Sequence, residues 1–154
     1  MTIYLDTNVY NRPFDDLSQE RILEEAFAFI EIYSFVVRGT LKCISSDILK
    51  LEVHNTSDEV RRNRVLNYLA YCSDNVFQDE LVQDLAKEIQ IKCRLSSRDA
   101  LHIASACKAK VDYFLTCDDK LVKKARHICE ILERKGYHLN IANPIDFAGM
   151  IRSE

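Results

Sequence analysis

A chain of 154 residues, 47% hydrophobic and 29% charged, is long enough to bury one sizeable core and lacks the composition of a disordered or fibrous protein. With three glycines and two prolines it has little material for a long flexible linker or a Gly-rich phosphate cradle, and no apolar run approaches a bilayer span. The net charge of −3 argues against the broadly basic surface of a nonspecific nucleic-acid binder, while leaving room for local patches.

The N-terminus does not read as a signal peptide, because Asp6 interrupts it and no basic segment precedes an apolar core. Cysteines at 43, 72, 93, 107, 117 and 129 form no CxxC pair. That spacing suits free, mostly buried thiols in a reducing compartment and argues against a structural zinc. The expectation is a cytoplasmic protein with no membrane partner.

Ile3-Tyr4-Leu5 reads as a buried strand that stops at Asp6-Thr7-Asn8. A carboxylate at the C-terminal end of such a strand stands where ligands of open α/β sheets collect, although aspartate is also a common turn former there. Tyr10 to Asp16 reads as a loop, broken by Pro13 and two aspartates. Ser18 is expected to cap a helix running to about Arg38, with Gly39 as its stop. Its apolar positions between 22 and 37 form a stripe wider than one core contact needs, suited to deep burial or to a partner chain.

Leu41 to Ser45 is a second short strand, and Ser46 or Asp47 caps a helix from Ile48 to about His54. There Ile48, Leu51 and Glu52 fall on one face, at i, i+3 and i+4, so Glu52 lies within the apolar stripe. An inward glutamate needs a cation, a hydrogen-bond partner or a raised pKa; a rim carboxylate reaching water is the alternative.

Residues 58 to 72 form an amphipathic helix with Val60, Val65, Leu66 and Leu69 apolar and the arginines outside. Asn75 to Phe77 is a brief strand, and residues 79 to 93 a helix with Leu81, Val82, Leu85, Ala86, Ile89 and Cys93 inward. Ser96 and Asp99 match a capping box for a helix to about Ala109, apolar enough to be packed on most sides. His102 shares a face with Asp99 and reads as a satisfied structural histidine. Val111 to Thr116 is a strand that ends in Cys117-Asp118-Asp119. Thr116 and Asp119 fit a second capping box, which leaves Asp118 the acid less explained by capping. One helix is expected from Lys120 to about Lys135, stopped by Gly136, then a strand from His138 to Ala142. Asn143 caps a terminal helix with Pro144 in its first turn. Strands alternating with helices predict an α/β fold of three layers, α/β/α, around a central parallel sheet, in one domain over residues 1–154.

Asp6 and Asp118 end strands, Glu52 lies on an apolar helix face, and Asp99 begins a buried helix. If right-handed crossovers set those strands side by side, the four carboxylates converge. Gathered without a cation they repel, and some stay protonated; a divalent metal removes the conflict. Oxygen ligands without paired His or Cys favour Mg²⁺ or Mn²⁺ over zinc, and such a site acts typically on phosphate esters.

With these residues in view, the chain resembles the PIN-domain family, metal-dependent ribonucleases that include VapC-type toxins of toxin–antitoxin pairs. The similarity lies in Ile3-Tyr4-Leu5-Asp6-Thr7-Asn8, in Ser46 to Glu52, in Arg98-Asp99-Ala100-Leu101-His102-Ile103-Ala104-Ser105-Ala106, in Phe114-Leu115-Thr116-Cys117-Asp118, and in the closing Asn143-Pro144-Ile145-Asp146-Phe147. The resemblance implies a parallel sheet between helices and carries over Asp6, Glu52, Asp99 and Asp118 as a catalytic, metal-binding set, with Asn8 and Thr116 in support. Asp119 departs from the pattern by placing a second acid beside Asp118. The implied reaction is Mg²⁺- or Mn²⁺-dependent hydrolysis of RNA phosphodiesters. Its implied partners are RNA, an antitoxin protein and a second copy of the chain. The bulky loop from Tyr10 to Asp16 would then flank the site. A non-catalytic binding subunit of a complex is the alternative from another class. A phosphotransfer domain with Asp6 as acceptor is a third reading, weakened by the absence of a lysine in a recognisable strand-end setting.

Overall fold

The structure, a computed structural model, describes residues 1–154. Five strands form one sheet in the order β3-β2-β1-β4-β5, with every neighbouring pair parallel. They are β1 (Thr2–Leu5), β2 (Lys42–Ser46), β3 (Asp74–Val76), β4 (Tyr113–Leu115) and β5 (Asn140–Ala142). The central strand β1 is paired on both edges: Ile3 lies opposite Cys43 on one side and Tyr113 on the other. The chain winds outward from β1 through β2 to β3, then returns to lay β4 against β1. Strand order reverses there, and that crevice at the carboxyl ends is where open α/β sheets bind ligands.

The period of two along β1 sorts its side chains onto both faces. Ile3 and Leu5 join a cluster with Val9, Tyr10, Phe29, Ile32, Leu49, Val65 and Phe147. Tyr4 points the other way, into a cluster with Ile89, Ala100, Ile103, Phe114, Ile128 and Leu132. The first cluster lies under α1 (Thr7–Asn11), α2 (Glu20–Val37), α3 (Asp47–His54), α4 (Glu59–Leu69) and α9 (Pro144–Arg152). The second lies under α5 (Glu80–Cys93), α6 (Ser97–Lys108), α7 (Asp119–Lys123) and α8 (Ala125–Arg134). This is the expected α/β/α sandwich around a parallel sheet. Each fully buried Phe, Leu or Ile in these clusters contributes roughly 1.5–3 kcal/mol. No helix is long and apolar enough to cross a membrane.

Most helix starts follow their local signals. Ser46 accepts from the Leu49 N–H, Ser96 from the Asp99 N–H, and Asn143 from the Ile145 N–H, as caps should. Elsewhere the structure corrects the sequence reading. The stretch after Asn8 is no open loop: Asp6 caps the short helix α1, and a 3-10 turn follows over Arg12–Phe14. Pro13 is tolerated in that turn because its missing N–H would be unbonded anyway. Two arginines pin the turn: Arg12 pairs with Asp15 and Glu25, and Arg61 with Asp15. Tyr10 is fully buried, with its hydroxyl against the Cys43 and Cys72 thiols, so it does not line the site.

Ser18 does not cap α2; its hydroxyl donates to Asp16, and Gln19 holds the cap position without a side-chain bond. The segment after β4 is two helices with a break at Lys124, whose ammonium donates to the Cys93 and Arg94 carbonyls at the end of α5. Leu51, Val60 and Leu81, read as inward, are exposed, because each sits at the edge of its helix's apolar face. Gly136 has a φ of +88°, the left-handed conformation that ends α8 and that a residue with a Cβ adopts only with strain.

Candidate active site

Asp6 leaves the end of β1 and caps α1: its Oδ1 accepts from the Thr7 N–H at 2.8 Å. Its other oxygen accepts from the Thr116 hydroxyl at 2.9 Å and from the Asn8 amide at 3.2 Å. Thr116 follows β4, the strand paired with β1, so one hydroxyl ties the two strand ends together. Asn8 completes the tie by donating to Thr116 and accepting from the Cys117 N–H at 3.0 Å. These contacts give Asn8 and Thr116 the task of fixing Asp6. Asp6 is 5% exposed. Burial raises its pKa, further helped by the negative charge of Asp99 and opposed by His102 and the Thr116 hydroxyl.

Glu52 projects from α3 into the same mouth. Its Oε1 accepts from the Thr7 hydroxyl at 2.9 Å and from His102 Nε2. The Arg98 guanidinium stands 3.7 Å from its other oxygen. Burial alone would raise the Glu52 pKa, but His102, Thr7 and Arg98 outweigh it and hold the carboxyl below its ordinary range. Glu52 therefore turns inward and is not a solvated rim residue, even though Leu51 on the same expected face turns out.

His102 is the residue that sequence reasoning undervalued. Its ring is 1% exposed and bonded at both nitrogens. Nε2 meets Glu52 and stands 3.8 Å from Asp6 Oδ1. Nδ1 lies 2.6 Å from the Tyr4 hydroxyl, which in turn lies 2.5 Å from Ser46 Oγ. Burial opposes protonation of the ring, yet Glu52, Asp6 and Asp99 together raise its pKa. As an imidazolium it donates from both nitrogens, to Glu52 and to the Tyr4 oxygen, and Tyr4 then donates to Ser46. It is satisfied, as expected of a structural histidine, and it is also the cation that an inward Glu52 requires. That requirement was the available signal: no Lys or Arg lies on the buried face of α6, whereas His102 shares the face of Asp99.

Asp99 and Asp118 line a cleft of about 190 Å³ together with Arg94, Ser96, Lys120 and Lys124. Neither acid has an ion-pair partner within 4.0 Å, in contrast to Asp6 and Glu52. Burial, with Asp118 and Glu52 as like-charged neighbours, raises the Asp99 pKa against the Ser96 hydroxyl. Asp118 caps α7 by accepting from the Lys120 N–H at 2.9 Å, and its own N–H donates to Thr116. The expectation that capping explains Asp119 and spares Asp118 is thus reversed. Asp119, 64% exposed, is paired with Arg21 on the outer surface and turns away from the cleft.

The four acids of the sequence reading thus share one end of the sheet. Their donors are hard oxygens, and Asp99 has Asp118 and Glu52 as like-charged neighbours, a repulsion that a divalent cation would relieve. That chemistry fits such an ion. The side chains are not gathered into a ready cage, since no three ionisable side chains meet in metal-ligand geometry.

A family model described as the PIN domain matches residues 3–127. Among solved structures, VapBC2 from Rickettsia felis, bound to a DNA fragment from their promoter, contains a chain of similar fold. The TM-score is 0.56 at 12% identity, over 92% of this chain and 98% of that one. No curated protein matches in sequence.

Proposed function

The chain belongs to the PIN-domain family, and from that premise we propose that it is a metal-dependent endoribonuclease that hydrolyses RNA phosphodiester bonds. The observation that supports this reading is that Asp6, Glu52, Asp99 and Asp118 all lie at the carboxyl end of the sheet, beside the β1–β4 crevice, with Asp99 and Asp118 free of ion pairs. A single domain over residues 1–154 is part of the proposal.

Asp6, Glu52, Asp99 and Asp118 would hold Mg²⁺ or Mn²⁺. When bound, such an ion polarises the phosphodiester, makes an attacking water more acidic and steadies the leaving oxygen. The chain's own residues do the positioning. Thr116 and Asn8 fix Asp6, Thr7 and His102 aim Glu52, and the helix α7 fixes Asp118 through its cap. Hydrolysis forms one P–O bond from water and breaks one P–O bond to the ribose, with the water proton ending on the departing oxygen. Asp119, engaged with Arg21, is left out of the ligand set.

By its likeness to VapBC2, a toxin role with a protein antitoxin is proposed as well, in the cytoplasm. The surface that suits a partner is the outer row of α2, where Phe27, Ile30 and Val37 are 66%, 49% and 53% exposed. The same row suits a homodimer, and it favours the second reading, a non-catalytic binding subunit.

The deciding experiment is cleavage of a mixed RNA pool by purified protein in Mn²⁺ or Mg²⁺, with EDTA and Asp6→Asn as controls. Cleavage that both controls abolish supports the nuclease. A protein that binds no metal and cuts no RNA, yet captures a partner through α2, supports the binding subunit.

A further inference from the structure

The cleft beside Asp99 and Asp118 has a wall of opposite charge. Arg94 and Lys120 line it, and neither makes an ion pair. Elsewhere around the acids cations are committed: Arg98 stands against Glu52, Arg12 and Arg61 pair with Asp15, Arg12 also with Glu25, and Arg21 with Asp119. A chain of net charge −3 thus keeps two cations without ion pairs on the wall of its acidic cleft.

Arg94 is placed against local preference. Arg94 caps the end of α5 with φ 53° and ψ 53°, a left-handed conformation in which Gly or Asn is the ordinary choice. Its backbone is held there by Lys124, whose ammonium donates to the Arg94 carbonyl at 2.8 Å. Local rules broken without a packing gain mark positions held for another purpose. The Arg94 and Lys120 side chains are exposed, so core packing explains neither.

We propose that Arg94 and Lys120 form a phosphate-binding wall that grips the backbone of single-stranded RNA next to the bond presented to the acids. The inference rests on the nuclease reading and adds to it the side on which the strand lies. An arginine and a lysine suit phosphate oxygens and carry no base preference, so the wall adds affinity without sequence choice. It also supplies the local attraction that the overall charge lacks. Asp99 and Asp118 on the same cleft keep the strand from settling deeper without a cation.

The test is binding of a fluorescent single-stranded RNA of mixed sequence, about 12 nucleotides long, in EDTA so that no cleavage intervenes. Arg94→Asn and Lys120→Gln are combined in one variant; Asn tolerates the left-handed backbone and Gln replaces an exposed polar side chain, so the fold is kept. Manganese titration of the same variant checks that the acids are intact, and the pair Arg126→Gln and Arg134→Gln, on α8, is the control. The expected result is affinity about tenfold weaker, with the slope of log K against log salt shallower by about 1.4, two charges at 0.7 each. Manganese affinity and the control pair are expected to match the parent. RNA bound equally by parent and variant overturns the wall and leaves the nuclease reading standing. A parent that neither binds RNA nor cleaves it with manganese overturns both.

Discussion

Asp6 and Glu52 stand in a closed network of hydroxyls, an amide and an imidazole, whereas Asp99 and Asp118 share a cleft with Arg94, Lys120 and Lys124 and form no ion pair with any of them. The first pair is built on the strand end of β1 and on α3, and its bonds run through Thr7, Thr116 and His102 into the core at Tyr4 and Ser46. The second pair sits at the starts of α6 and α7, and its partners are a Ser hydroxyl and a backbone N–H. A fully bonded carboxylate is fixed in place and adds stability; a carboxylate short of partners stays available to a ligand and stores repulsion. The two halves of the site should therefore answer to mutation differently.

The largest expected effect is on activity. Asp99→Asn is expected to lower RNA cleavage by at least about 100-fold with no loss of stability. The metal-free protein should gain up to about 1 kcal/mol, since one repelling charge is gone. Activity lost together with a lower Tm would break the contrast. In the bonded half, His102→Ala is expected to cost about 3 kcal/mol, because it strips Glu52 of its cation and leaves the Tyr4 hydroxyl without its ring partner. Urea unfolding of the metal-free protein measures this, and a cost under about 1 kcal/mol would show the network to be slack.

Manganese at about 100 times its Kd should stabilise the parent by about 2.7 kcal/mol, and EDTA should reverse it. The same addition should do almost nothing for Asp99→Asn; an unchanged shift there would place the ion among the bonded acids alone. The smallest effect distinguishes the neighbouring aspartates. Asp118→Asn keeps an acceptable cap and should stay within about 0.5 kcal/mol of the parent while losing cleavage. Asp119→Asn removes only an exposed pair with Arg21 and should leave both cleavage and stability nearly unchanged.

Glu25 shows why burial alone does not identify a site. It is 1% exposed and more buried than Glu52, yet Arg12 and Asn143 occupy both its oxygens at 3.1 and 2.6 Å. Its bonds lock α2 to the 3-10 turn and to the start of α9, a structural task. In the sequence, Glu25 hides inside an amphipathic stripe and its partners lie 13 and 118 residues away. Glu52 was visible because its helix is short and its face otherwise apolar; what remained open was whether it pointed in.

Short-range chemistry made much of the rest legible. The alternation of strand and helix, the apolar strand ending at Asp6, the Ser96 cap and the Asn143-Pro144 helix start all depend on residues within a few positions of one another. Where two local signals competed, the sequence could not arbitrate. Thr116 fits a capping box, but its hydroxyl is drawn to Asp6, 110 residues away, and Asp118 takes the cap instead. Lys124 lies in a run that is helical by propensity, yet the helix breaks there, at a residue whose ammonium donates to carbonyls at the end of α5.

The sequence by itself determined the α/β class, the strand that carries Asp6 and the set of acids worth weighing, since periodicity and caps are local. Tertiary structure alone decided that His102 is the cation of Glu52, that Asp118 faces the cleft and Asp119 the surface, and that two cations stand uncommitted beside the acids. Each of those outcomes is a contact between side chains far apart in the chain, and such contacts exist only once the sheet has brought its strand ends together.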